Sequence, residues 1–364
     1  MKNFICMFVA LLICLLSNYP INLAFAFDGE IIQYDIYDEN GELLSFTSEA
    51  EVGDTILTKD FEEYQIYEID GNKCYARYFR TLNWAKPNKA KNTRSTGKDK
   101  KLCLYMTHND ESYTPSDGYD SIYGQGGIHD VAKKLQAELE KNGIQVVLDE
   151  TLHIPHDSSA YSRSAVTAKS LYTKEKPDAL FDIHRDGVAK KYYYITNNGQ
   201  DFSKIRIVVG KSNPNFEENY KFAQQLFATG NQLYPWLFLD VYCGKGHYNQ
   251  ELLKTNLLFE MGTYLIEKEF VYNSVPYLVD SINTTMYSNY YLPENDIIEE
   301  DPTEDEFVDE DVKQDDFLEN EKDNTTTEEN KDKNRDGSAL LIVTILLVGL
   351  LSFAFVATFK KKNK

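Results

Sequence analysis

Three groups of residues in this 364-residue chain have the types and surroundings that metal-assisted hydrolysis needs. His108 and Glu111 follow the apolar run 102–106 within Thr107-His108-Asn109-Asp110-Glu111. His184 follows the run 179–183 and heads His184-Arg185-Asp186, and Glu260 follows 257–259. Ligands in open α/β sheets gather beyond the carboxyl ends of strands, so two imidazoles and two carboxylates would converge on one edge. A hydrolytic zinc site takes three nitrogen or oxygen ligands, an open position for water and a carboxylate that moves the proton. That inventory is present. The spacing of His108 and Glu111 suits a turn, and on its own it is a weak signal in a chain with 58 acidic residues. Glu260 carries more information, because a carboxylate at the end of a buried run needs a proton, a partner or a metal. The competing reading of Glu260 is a surface residue at a strand end.

The elements that must position these groups are legible from periodicity. Runs 102–106, 144–148, 179–183, 205–209 and 257–259 read as strands. Val131, Leu135 and Leu139 mark a helix over 130–142 that ends at Gly143. Further helices are expected over 162–174, 216–233 and 267–289, the last with a kink at Pro276. This alternation predicts an α/β domain over 102–292 with a mixed or largely parallel sheet flanked by helices. Before it, residues 27–82 alternate apolar and polar around Asn40-Gly41, Gly53-Asp54 and Asp70-Gly71, which predicts a small antiparallel β module. A linker rich in Lys, Asn, Thr and Ser is expected over 83–101.

The net charge of −20 has the wrong sign for a protein that follows nucleic-acid backbones. Much of it lies in 293–337, with 20 acidic and 5 basic residues, a composition expected to form a disordered spacer. Both ends address a membrane. Residues 1–26 read as a signal peptide closing on Ala24-Phe25-Ala26. Residues 338–359 hold no charge over 22 positions, enough to span a bilayer, and 360–364 supply a cytoplasmic basic tail. The expectation is a single-pass type I protein of the cell membrane with an extracytoplasmic catalytic domain.

Cys74, Cys103 and Cys243 form neither a disulfide framework nor a zinc ribbon, and Cys103 is expected in the core. His129 is expected at a helix start, His153 and His156 on a surface loop, and His247 on a flexible rim after Gly244-Lys245-Gly246.

Seven short blocks in one order carry a resemblance. They are Thr-His-Asn-Asp-Glu-Ser-Tyr at 107–113, Ser-Arg-Ser at 162–164, Asp-Ile-His-Arg-Asp at 182–186, Val-Val-Gly-Lys at 208–211, Asn-Phe-Glu-Glu-Asn-Tyr at 215–220, Tyr-Asn-Gln at 248–250 and Leu-Leu-Phe-Glu-Met-Gly at 257–262. Over roughly 100–290 the chain resembles the stage II sporulation protein P family. The resemblance implies an N-acetylmuramoyl-L-alanine amidase-like zinc domain that cuts peptidoglycan between the lactyl group and the stem peptide, with stem-peptide endopeptidase activity also associated. Residue by residue, it makes His108, Glu111 and His184 ligands of Zn²⁺ and Glu260 the general base and then acid. Asp182, two residues before His184 on a strand, would share its face and orient the imidazole. Arg185, Asn249 and Gln250 would hold carboxylate or amide groups of the glycopeptide.

The chain departs from the family in two ways. His-Thr-His is common in the first block, whereas this chain reads Met106-Thr107-His108, so only His108 is left to ligate. The anchor read here is C-terminal, where the family is usually held by an N-terminal segment. The family implies stage II sporulation proteins D and M as partners, alongside peptidoglycan and the membrane. Two other readings compete with an amidase: a catalytically silent wall-binding module, and a zinc carboxypeptidase of similar fold.

Overall fold

The computed structural model describes residues 33–82 and 100–288. The expected signal peptide, acidic spacer, membrane span and basic tail, with most of the linker, lie outside the described residues. No described helix is long and apolar enough to cross a membrane.

Thirteen strands and four long helices build the described part. The first five strands are β1 (Tyr34–Tyr37), β2 (Leu43–Thr47), β3 (Thr55–Leu57), β4 (Glu62–Asp70) and β5 (Lys73–Thr81). Then come β6 (Lys101–Tyr105), α1 (Ile128–Lys141), β7 (Gln145–Leu148), α2 (Ala160–Glu175) and β8 (Ala179–Asp186). A hairpin of β9 (Tyr194–Asn197) and β10 (Gln200–Ser203) precedes β11 (Ile205–Gly210), α3 (Phe216–Leu233) and β12 (Phe238–Gly244). The chain closes with β13 (Asn256–Thr263) and α4 (Lys268–Tyr287), which carries Pro276 inside it.

Eleven strands form one mixed sheet in the order β2-β1-β5-β4-β3-β12-β11-β13-β8-β6-β7. β7, β6, β8 and β13 run parallel to one another, and β11 turns antiparallel to β13. The α/β architecture with a mixed sheet is as the sequence implies. β12 and the β9–β10 hairpin are additions to it, although Asn198-Gly199, both at positive φ, is a hairpin turn signal in the text. The N-terminal strands carry the expected turns, but β1 runs parallel to β5 and β3 pairs with β12, so these strands continue the main sheet.

A period of two divides each central strand between two faces. On one face Leu102, Leu104, Phe181, Ile183, Ile207 and Phe259 join the main core with residues of α1, α3 and α4. The other face receives α2 over Cys103, Tyr105 and Leu180, and the N-terminal strands over Val208, Tyr242 and Leu258. The N-terminal strands reach it because the sheet folds over. The Ser45 hydroxyl of β2 hydrogen-bonds Asp240 of β12, although four strands separate the two in the sheet. Cys74, Cys103 and Cys243 are all buried free thiols.

Candidate metal centre

The second face carries Asp182, His184 and Asp186 of β8, Glu260 of β13 and Arg206 of β11. Both β8 and β13 run past the ends read from sequence, so His184 and Glu260 lie within strands and not beyond them. Backbone pairing between β8 and β13 carries both strands on, to Asp186 and Thr263, despite the polar side chains. In register, Glu260 stands opposite His184 on one side and Arg206 on the other.

His108 and Glu111 come from the loop after β6. Gly126 holds that loop: its N–H bonds the Asn109 carbonyl at 2.9 Å, and a Cβ there would meet the Glu111 carbonyl oxygen at 2.2 Å. Glu111 Oε1 lies 3.1 Å from His108 Nδ1 and 3.5 Å from His184 Nδ1, while Oε2 accepts the Arg185 backbone N–H at 2.9 Å. One donor atom from each of His108, Glu111 and His184 falls within 4.8 Å of the others. Two imidazoles and a carboxylate are a donor set that zinc takes in hydrolytic sites, and the convergence of three such atoms fits a single cation.

Electrostatics tie the cluster together. Burial opposes charge on His184, yet Asp182 and Glu111 beside it raise its pKa well above the ordinary histidine value. Burial likewise opposes the Glu111 carboxylate, but His184 and His108 hold its pKa well below the usual range. For His108 burial prevails and lowers the pKa. Asp182 accepts the Thr107 N–H at 2.8 Å and the Thr107 hydroxyl at 2.6 Å, which fixes the carboxylate. Its Oδ1 lies 3.0 Å from His184 Nε2, a charge contact outside hydrogen-bond alignment, since that nitrogen makes no hydrogen bond. Asp182 therefore lies against the His184 ring.

Glu260 is partly exposed as a residue, but its Oε2 is buried and has no hydrogen-bond partner. Burial first, then the neighbouring charge of Asp186, pushes its pKa well above the usual carboxylate range. A raised pKa brings a carboxyl closer to the range in which it can take up and return a proton.

The expected substrate-holding side chains are committed to the protein. Gln250 is fully buried, with Oε1 accepting Gly210 N–H at 2.8 Å and Nε2 donating to Val208 O at 3.0 Å. Asn249 donates to Ser164 Oγ at 2.9 Å, and Arg185 donates to the carbonyls of Ser112 and Asp120. Their polar atoms brace β11, α2 and the loop after β6.

Of the other histidines, His153 differs from its surface reading, while His156 is exposed as expected. His153 is buried, its Nδ1 donating to Met106 O at 2.8 Å and its Nε2 facing Thr167 Oγ1 at 2.9 Å. His156 bonds Asp110 at 3.0 Å and stacks on His108 with ring centroids 3.8 Å apart. Pattern reading saw only a Pro-containing loop there, because stacking across 48 positions leaves no periodic trace. His129 starts α1 and meets Glu150 at 3.1 Å, and His247 is exposed. Arg206 and Asp240 also escaped notice, although a charge within Ile205-Arg206-Ile207 is a visible signal.

Among known proteins, the profile of the stage II sporulation protein P family matches residues 76–283. Stage II sporulation protein P of Bacillus subtilis (strain 168) is 31% identical over 187 residues, 46% of this chain and 47% of that protein, so the chain spans about half the length of this curated relative. Among solved structures, the N-acetylmuramoyl-L-alanine amidase from Clostridium difficile 630 is 17% identical, covering 51% of this chain and 95% of that one with a TM-score of 0.33. The CwlD amidase from Clostridioides difficile in complex with the GerS lipoprotein is 11% identical, covering 51% and 98% with a TM-score of 0.35.

Proposed function

The chain belongs to the stage II sporulation protein P family, and from that premise we propose that it is a zinc-dependent peptidoglycan hydrolase that cleaves the amide between N-acetylmuramic acid and L-alanine. The observation that carries this reading is the convergence of His108, Glu111 and His184 beside a buried carboxyl, Glu260, that stands in register with His184.

His108, Glu111 and His184 would hold the ion, with Asp182 and Thr107 orienting His184 and the Arg185 backbone N–H orienting Glu111. Zinc bound there supplies Lewis acidity toward water and the scissile carbonyl. Glu260 takes the proton of the attacking water and returns it to the leaving amine of L-alanine, a role suited to a carboxyl whose pKa is raised. The wall and the membrane are the partners in this reading. The chain would act outside the cytoplasm, held by residues 338–359, with stage II sporulation proteins D and M as candidate collaborators.

Mass spectrometry of muropeptides released by the purified full chain with zinc, against Glu260→Gln, tests this. Free stem peptides appearing only with the unaltered protein are expected. Cuts confined to bonds within the stem would favour a peptidase, and wall binding without release despite bound zinc would favour a silent binding module.

A further inference from the structure

Arg206 is a fully buried guanidinium in an otherwise apolar strand, 2% exposed between Ile205 and Ile207. Nε donates to Asp240 Oδ1 at 2.7 Å and Nη2 to Asp240 Oδ2 at 2.8 Å, a forked pair. Nη2 also reaches Ser45 Oγ at 2.9 Å and Phe46 O at 2.7 Å, and the Phe46 ring lies 4.5 Å from the guanidinium carbon. Nη1 makes a single bond, to Asp186 Oδ2 at 3.2 Å, which leaves one of its two hydrogens uncommitted among the described residues.

The cross-strand partner of Arg206 is Glu260. Directly opposed residues of an antiparallel pair share a face, with Cβ atoms about 4.5–5.5 Å apart. A polar row therefore runs His184, Glu260, Arg206 across β8, β13 and β11, and Glu260 Oε2, the acceptor without a partner, sits inside it. Apolar residues serve packing at neighbouring positions of β11, and a buried ion cluster of this kind is weak evidence for stability. The charge beside Glu260 thus needs another reason.

We propose that Arg206 is the positioning residue for Glu260, and that the N-terminal strands, by gripping Arg206 through Ser45 and Phe46, are a working part of the catalytic unit. Ser45 and Phe46 lie outside the residues that match the family, 76–283. The clamp keeps the guanidinium against β13, with the free Nη1 hydrogen left to donate to Glu260 Oε2. The inference rests on the catalytic role proposed for Glu260.

The test is muropeptide release by the full chain with zinc, fitted for kcat and KM, using Ser45→Ala, Ser45→Thr, Arg206→Lys and Glu260→Gln, with thermal unfolding and zinc content measured on each. Lysine keeps the charge and loses the fork, so Arg206→Lys should lower kcat about a hundredfold with KM within about twofold. Ser45→Ala should lower kcat roughly tenfold, and Ser45→Thr, which keeps the hydroxyl, should restore at least about half of the wild-type value. Wild-type kcat in folded, zinc-loaded Ser45→Ala, or a loss that lies wholly in KM, overturns the proposal, and Ser45→Ala decides alone if Arg206→Lys does not fold. Hydrolysis at the wild-type rate by Glu260→Gln would sink the catalytic reading itself. An inactive Glu260→Gln beside an unaffected Ser45→Ala sinks only the positioning role.

Discussion

The two faces of the central sheet are written in alternate letters of the same strands. In β8, Phe181 and Ile183 point into a core closed by α1, α3 and α4, while Asp182, His184 and Asp186 point the other way. In β13, Phe259 joins that core and Glu260 does not. The apolar face is sealed by helices along its length, whereas the polar face is covered from two sides, by α2 and by the N-terminal strands. One face therefore carries stability and the other holds charges that folding alone would not select, a division that neighbouring substitutions can probe.

The sharpest test sets Glu260 against its neighbour Phe259. Glu260→Gln should reduce hydrolysis by about 10²–10⁴-fold while the thermal midpoint holds or rises, because a buried carboxyl with an unpartnered oxygen is replaced by a neutral isostere. A folded Gln variant with more than a tenth of wild-type activity would break the contrast. Phe259→Ala should do the reverse, with a loss of about 3–5 kcal/mol in denaturant unfolding from the cavity between Phe181 and the helices, and the metal cluster retained in the molecules that stay folded.

Metal uptake should expose the charge on the polar face. The pKa of His184 is raised well above the ordinary value, and a proton on the ligating nitrogen must leave before that nitrogen can bind a cation. Zinc affinity measured by competition titration should therefore climb with pH, by up to about tenfold per unit while the pH remains below the His184 pKa, with proton release visible in weakly buffered solution. A flat profile between pH 6 and 8 would mean that His184 is already neutral. The smallest effect is expected at Asn249, whose amide bonds Ser164 and whose φ of 55° suits Asn. Asn249→Ala should cost about 1–2 kcal/mol of stability with KM unchanged. A rise in KM without loss of stability would return Asn249 to the substrate-holding role read from its motif.

Much of this arrangement was legible in the text. The strand, helix, strand order from 102 to 148 follows from apolar spacing, and α3 begins and ends where the period of Phe216–Leu233 does. His108, Glu111, His184 and Glu260 stand out because each follows an apolar run directly or within a short loop, and the structure gathers the first three. Residues that act through distant partners were not legible. Gln250 and Asn249 read as substrate-holding residues, yet the Gln250 amide bonds β11 and the Asn249 Nδ2 bonds α2. His153 reads as a surface residue until Met106 and Thr167 are seen around it, and the stacking of the exposed His156 on His108 has no local signal.

Sequence by itself determined which side chains could share a face, because alternation along a strand is a local property of the backbone, and it determined the apolar runs that had to be buried. Only the tertiary structure decided that β13 lies between β8 and β11, which puts Glu260 beside both His184 and Arg206. It alone decided that the sheet folds far enough for β2 to reach Arg206. Strand order and curvature arise from pairings between residues tens to hundreds of positions apart, and no local pattern encodes such partners.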